Sequence, residues 1–161
     1  MADTTTKKTL IVFSGDFDKI LAAFVIANGA AAMGDDVTMF FTFWGLNALR
    51  KPEHVKAAGK SPVQKMFGAM MPRGSGRLAL SHMNFAGTGP KLMKHVMRQQ
   101  HVSSIEELMS TAREQGIKFI ACTMSMDVMG LKREELIDGL EYAGVATYLG
   151  EADEANVNLF I

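Results

Sequence analysis

Thr9-Leu10-Ile11-Val12-Phe13-Ser14-Gly15-Asp16 decides the reading of the whole chain. The first six residues form a short apolar run with β-branched members, and the run stops at Gly15. That pattern predicts a strand buried on both faces. Asp16 stands where a helix cap is needed, and Ile20, Leu21, Phe24 and Val25 follow at helical spacing towards a stop at Gly34. Val37 to Phe43 is a second apolar strand. A β-α-β unit of this length predicts parallel pairing with a right-handed crossover.

The last third repeats the rhythm. Ser103 with Glu106 suggests a capping box, and Ile105, Leu108, Met109 and Ala112 mark the apolar face of the helix it opens. Gly116 ends that helix, and Ile117 to Cys122 reads as a strand. A short helix through Met129 is expected after Cys122. A helix is expected from about Arg133 to Ala143, with Leu136, Ile137 and Leu140 inward, and a further strand over Val145 to Leu149. Strands alternating with helices predict an α/β protein, an open and mostly parallel sheet with helices on both faces.

The middle third departs from this rhythm. Ser61, Pro62 and Gln64 have the pattern of a capping box with a first-turn proline, opening a short helix to about Met71. Residues 72–89 read as a Gly-rich basic loop in which Arg77 to Leu80 could form a short strand. Pro90 then starts a helix to about Gln100, with Leu92, Met93, Val96 and Met97 on one face. The 161 residues suit one domain with one substantial core. The expectation is a single α/β domain over 1–161 with a basic, Met- and Pro-containing insertion at about 52–101.

Charge sharpens that boundary. The chain carries 17 basic and 17 acidic residues, yet residues 52–101 hold eight basic against one acidic and residues 102–161 hold four against eleven. A balanced total therefore hides a segment of +7 followed by one of −7. The basic stretch reads as a solvated face, as a surface for an acidic partner or anionic substrate, or as a dock for the acidic third of another copy. It holds only Phe67 and Phe85 as aromatics and no recognisable motif, so nucleic acid is not expected as a partner.

Composition excludes several classes. Apolar residues at 48% and charged residues at 21% exclude a collagen-like or disordered chain. Cys122 is the only cysteine, which excludes an intramolecular disulfide and a Cys-rich zinc site and fits a reducing compartment. Met1 to Lys8 is short and polar, unlike a signal peptide. The longest apolar stretch, Ile20 to Gly34, has 15 residues, short of the roughly 20 that span a bilayer. No transmembrane segment and a cytoplasmic location are expected.

Few residues can carry chemistry. Cys122 closes a buried strand, and ligands of open α/β sheets bind outside the carboxyl ends of the strands. Backbone N–H groups over Thr123, Met124 and Ser125 would favour a thiolate there, while a nearby Asp127 would oppose it. The competing reading is a buried, inert thiol, because free cysteine is among the most buried residue types. No second cysteine forms a thioredoxin-type pair, and the first arginine after Cys122 is Arg133, too far for a phosphate-cradling cysteine loop. Ser14 and Gly15, in the first strand-to-helix turn, could hold an anion or simply form a capped tight turn. The histidines lack H-x-x-x-H spacing. The methionines could bind Cu(I), but pairs such as Met66/Met70 and Met93/Met97 suit a packed helix face better. No metal and no cofactor is expected.

Phe119-Ile120-Ala121-Cys122-Thr123-Met124-Ser125-Met126-Asp127-Val128-Met129-Gly130 resembles the cysteine segment of DsrE-like proteins, in the longer-chain branch sometimes labelled peroxiredoxin-like. Gly144 to Gly150, Leu10 to Phe17, Met70-Met71-Pro72 and Met83-Asn84 are similar to that branch too. No Pro-x-x-x-Thr-x-x-Cys precedes Cys122, so the residues do not support peroxiredoxin chemistry. The resemblance implies a flavodoxin-like or Rossmann-like fold, a cytoplasmic homo-oligomer and intracellular sulfur relay. Cys122 would carry a persulfide, taken from and passed to other sulfur-relay proteins. The alternative is a non-enzymatic oligomeric small-anion-binding protein in which Cys122 is structural.

Overall fold

The computed structural model describes residues 5–161, so the first half of the N-terminal polar segment lies outside the described residues. Strand β1 (Lys7–Val12) leads into α1 (Phe17–Ala32) and β2 (Asp36–Phe41). Both strands begin and end about two residues earlier than the apolar pattern predicts. At the end of β1, Phe13 and Ser14 both give their N–H groups to the Ile161 carbonyl beyond the ladder. Asp16 occupies the N-cap of α1 but makes no cap hydrogen bond. Its carboxylate instead accepts from Ser14 Oγ at 3.1 Å and pairs with Lys19 at 2.8 Å. Gly34, at φ +90°, supplies the left-handed residue that ends the helix.

After β2 the chain runs through a 3-10 segment (Phe43–Leu49), α2 (Pro62–Met70) and α3 (Thr88–Gln99) before α4 (Ile105–Glu114) returns it to the sheet. The Ser61/Gln64 capping box is present on α2. On α4 the box is Ser104 with Glu107, one residue later than expected, because Glu106 is held by Ser75 Oγ at 2.5 Å. Arg77 to Leu80 forms no strand. Ser75–Arg77 is a 3-10 turn, and the Ala79 carbonyl accepts from the Phe17 N–H at the start of α1.

Strand β3 (Lys118–Cys122) is followed by α5 (Thr123–Met129), β4 (Glu141–Ala143), α6 (Val145–Asp153) and β5 (Val157–Phe160). The sheet order is β4-β3-β2-β1-β5, and every pair is parallel. Two expectations fail here, and one strand had no expectation. The helix expected at 133–143 is a 3-10 turn over Arg133–Glu135, then extended chain. Its backbone groups bond outward, with Ile137 N–H to the Leu49 carbonyl and Lys51 N–H to the Glu135 carbonyl. The strand expected at 145–149 is α6, which buries Tyr148 and packs Ala152 against the sheet at i, i+4 spacing. Strand β5 was not foreseen; it is four residues long, and Asn158 interrupts its apolar residues Val157, Leu159 and Phe160.

Alternation along the strands divides the core. Leu10, Val12, Met39, Phe41, Phe119 and Ala121 face α1 and α4, where Phe24 sits 6.1 Å from Phe41 and 5.7 Å from Phe119. Phe40, Ile120 and Cys122 face the other way and are covered by Tyr148 of α6. Glu151 fixes α6 to the sheet: its carboxylate lies 2.7 Å from Lys7 and 3.0 Å from Lys118.

One buried charge joins the middle segment to the rest. Arg50 is 2% exposed and donates to the carbonyls of Gly68, Met71 and Pro72, with Glu135 at 3.9 Å. Glu135 is also 2.5 Å from Lys60. Replacing Arg50 with alanine strands the Gly68, Met71 and Pro72 carbonyls, the first two in buried contacts, and leaves Glu135 without this partner, so the variant should lose about 3 kcal/mol or more in urea unfolding. A loss within experimental error would contradict this role.

A second expectation concerns α6. The Lys7 ammonium first, and Lys118 second, hold the Glu151 carboxyl below the ordinary glutamate range, against the effect of burial. Its stabilisation is therefore complete above the ordinary glutamate value and fades as pH falls through the lowered one. The stability advantage of the wild type over Glu151→Gln should shrink on acidification, as read from urea unfolding at a series of pH values. A gap that stays constant down to a pH of about 2 would contradict it.

Candidate functional site

Cys122 ends β3 at the carboxyl edge of the sheet and is the N-cap residue of α5. It is buried at 2% exposure, with its side chain in the cluster of Phe40, Ile120 and Tyr148. The position at the strand end is as the sequence indicates; the thiol itself lies beneath α6 rather than open to solvent.

The residues after it take separate roles. Thr123 is half-buried and its hydroxyl reaches the Ala143 carbonyl at 3.5 Å. Met124 faces solvent. Ser125 is fully buried, and its hydroxyl shares a 2.7 Å hydrogen bond with Thr42 at the end of β2. That bond ties the start of α5 to the neighbouring strand. Asp127 is exposed, and its carbonyl accepts from Gln64 Nε2 at 3.1 Å, which anchors α2 against α5.

A cavity of about 290 Å³ opens beside this segment, lined by Thr123, Met126, Asp127, Leu131, Lys132 and Arg133. Sequence reasoning weighed Arg133 only as too distant for a phosphate-cradling loop and did not single out Lys132. They were nonetheless legible as the only cations within a dozen residues after Cys122. Arg133 also lies over the Tyr142 ring, 4.3 Å from its centroid, and burial raises the Tyr142 hydroxyl above the ordinary tyrosine value. Tyr148, which covers Cys122, and Thr42, which holds Ser125, were missed because both contacts join residues distant in sequence.

Ser14 and Gly15 lie at the same edge of the sheet but line a different cavity, of about 480 Å³, with Asp16, Lys19 and Trp44. Ser14 N–H is taken by Ile161, and the Asp16 N–H is taken by Ser14 Oγ. Gly15 is required by packing: a Cβ there would come 2.8 Å from the Trp44 carbonyl oxygen. Thr123 simply follows Cys122 in the chain, and Ser14 and Gly15 line a cavity that includes neither of them.

Among the described residues, no cluster of three or more His, Cys, Asp or Glu side chains is arranged to hold a metal ion. Of the paired methionines, Met97 is buried while Met66, Met70 and Met93 are exposed, so Met66/Met70 does not form the packed face their spacing suggests. No helix among the described residues is long and apolar enough to cross a membrane.

Comparison with known proteins agrees with this architecture. Over its full length the chain is 53% identical to YrkE of Bacillus subtilis, covering all of both proteins. It is 35% identical over 159 residues to the sulfur carrier protein DsrE2 of Allochromatium vinosum, covering 96% of this chain and 98% of that one. Among solved structures, YchN from E. coli superposes with a TM-score of 0.52 at 14% identity, covering 96% of this chain and 99% of that one. MTH1491 from Methanobacterium thermoautotrophicum superposes with a TM-score of 0.56 at 12% identity, covering 96% and 98%. At such identities these two matches speak to the fold alone. The DsrE/DsrF/DrsH-like family model matches residues 4–160, and the chain belongs to that family.

Proposed function

We propose that this protein is a cytoplasmic sulfur carrier that holds a persulfide on Cys122. The observation that carries the reading is the position of the only cysteine, at the carboxyl end of the inner strand β3. Family membership and the 35% identical sulfur carrier support it.

The chemistry needs a single thiol. The Cys122 thiolate attacks the outer sulfur of a donor persulfide, R–S–SH. The donor S–S bond breaks, R–S⁻ leaves, and Cys122–S–SH forms. An acceptor thiolate then attacks the same outer sulfur, and Cys122 departs as a thiolate. Both steps are thiol–persulfide exchanges with no net oxidation, so no cofactor is required. Lys132 and Arg133, beside Thr123, supply positive charge where a donor or acceptor thiolate would approach. Because the thiol is covered, loading requires Tyr148 and the start of α6 to move aside, or α5 to open. Partner proteins would supply both donor and acceptor, and self-association would use the basic segment against the acidic third of another copy.

A second reading has its own observation. Cys122 is 2% exposed and packs with Phe40 and Ile120, as a structural thiol does. In that reading the protein is an oligomeric small-anion binder.

Incubation with a protein persulfide donor, followed by intact-protein mass spectrometry, separates the two. The expected result is a gain of one sulfur atom that is removed by reductant and absent in Cys122→Ser. Absence of that gain, when an unfolded sample of the same protein is loaded by the same donor, would overturn the proposal and leave the structural reading. Alkylation of Cys122 in the native protein should be slow and should accelerate in Glu151→Gln, whose α6 is less firmly held.

A further inference from the structure

A cavity of about 470 Å³ lies between the 3-10 turn at Ser75–Arg77 and the outer side of α4, away from Cys122. Its walls include four arginines, Arg50, Arg73, Arg77 and Arg113, and a single acid, Glu106. Taking the lining charges alone, four minus one leaves +3. The acid is already engaged by Ser75 Oγ at 2.5 Å, and its carboxyl is held below the ordinary glutamate value by that bond despite burial.

The arginines are not equivalent. Arg50 spends its guanidinium on the carbonyls of Gly68, Met71 and Pro72. Arg113 donates to the Asp138 carbonyl. The Arg73 and Arg77 side chains have no hydrogen-bond or ion-pair partner among the described residues. Burial, and then the charge of Arg73, pull the Arg50 guanidinium below its ordinary value against the opposing charge of Glu135, which shows that the Arg50 and Arg73 charges lie near one another. Two unpaired guanidiniums, Arg73 and Arg77, on one cavity wall suit the oxygens of phosphate or carboxylate. A local charge of +3 favours the dianion of a phosphate over a single carboxylate.

The rest of the wall is apolar: Ala48, Pro52, Met109 and Ile137. The volume falls within the roughly 300–1,000 Å³ of small-molecule sites and far exceeds the needs of inorganic phosphate. We infer that the cavity bounded by Arg50, Arg73, Arg77 and Arg113 binds a small organic phosphate, its phosphoryl group between Arg73 and Arg77 and its carbon body against Met109 and Ile137. This site is independent of sulfur carriage by Cys122.

Phenyl phosphate is a suitable probe, titrated at low ionic strength and followed by backbone amide shifts in two-dimensional NMR. Saturable shifts are expected at Ser75, Gly76, Arg77 and Arg113. Arg73→Gln and Arg77→Gln should each weaken binding by about tenfold or more. Their melting temperatures should not fall, because neither side chain makes a hydrogen bond or ion pair among the described residues and loss of Arg73 relieves repulsion on Arg50. Arg98→Gln, on α3 outside the cavity, should bind as the wild type does. Inorganic phosphate should bind more weakly than phenyl phosphate, and benzoate more weakly again. Absence of saturable binding, or equal binding by the Arg73 and Arg77 variants, would overturn the site. Equal affinity for inorganic phosphate would overturn the organic body, and equal affinity for benzoate would overturn the phosphate. Cys122→Ser should retain phenyl phosphate binding, so failure of this inference and failure of sulfur carriage are separate results.

Discussion

The buried guanidinium of Arg50 is the constraint on which the middle of this molecule depends. Residues 43–104 interrupt a parallel sheet, and such a long excursion can sample many positions over the sheet edge. Arg50 removes that freedom by donating to three carbonyls at the end of α2 and just beyond it. Glu135, from the segment after α5, approaches the same guanidinium and also binds Lys60 and the Lys132 N–H. One cluster thus joins the end of the 3-10 run, the flanks of α2 and the approach to β4. A guanidinium suits this role because its fixed fork addresses several oxygens at once and keeps its charge when buried.

The same cluster shapes both regions of interest. It holds α2 where Gln64 can reach the Asp127 carbonyl, and so steadies α5 directly after Cys122. It also places the backbone of 49–51 against 135–137, with the Arg50–Leu136 bridge at its centre. Arg73, Arg77 and Arg113 gather around the outer side of this join. The cysteine therefore lies on the α6 side of the sheet, and the arginine cavity lies on the α4 side. The two faces are unequal. One is closed by α1 and α4 with a full aromatic core, and the other by the single helix α6. A thiol on the thinly covered face needs only local opening to meet a partner, whereas a thiol on the other face would need the core to come apart.

The legible parts of the sequence were those where neighbours in the chain are also neighbours in space. The β1-α1-β2 unit, the strand ending at Cys122 and the short helix after it follow from apolar periodicity and turn residues. The Ser61/Gln64 capping box was legible because its partners are three residues apart. At α4 the same logic slipped by one residue, since Ser103/Glu106 and Ser104/Glu107 satisfy the pattern equally. The choice was made by Ser75, which claims Glu106 from 31 residues away. At 133–143 the spacing of Leu136, Ile137 and Leu140 imitates a helix face, but Leu49 and Lys51 take the backbone bonds that a helix would have used. At 145–149 β-branched residues imitate a strand, and burial of Tyr148 against Phe40 makes the segment a helix.

By itself, then, the sequence determined the α/β class, the succession of its first elements, and the presence of one cysteine at a strand end. These are properties of local periodicity and of residue identity. Tertiary structure alone decided which face Cys122 occupies and that Tyr148 covers it. It also decided that Ser14 and Gly15 stand apart from it, and that four arginines from distant segments share one cavity. The physical reason is common to all four. Each depends on which backbone and side-chain groups satisfy one another across long stretches of chain, and a buried polar group takes the best partner the fold brings within reach, not the nearest one in sequence.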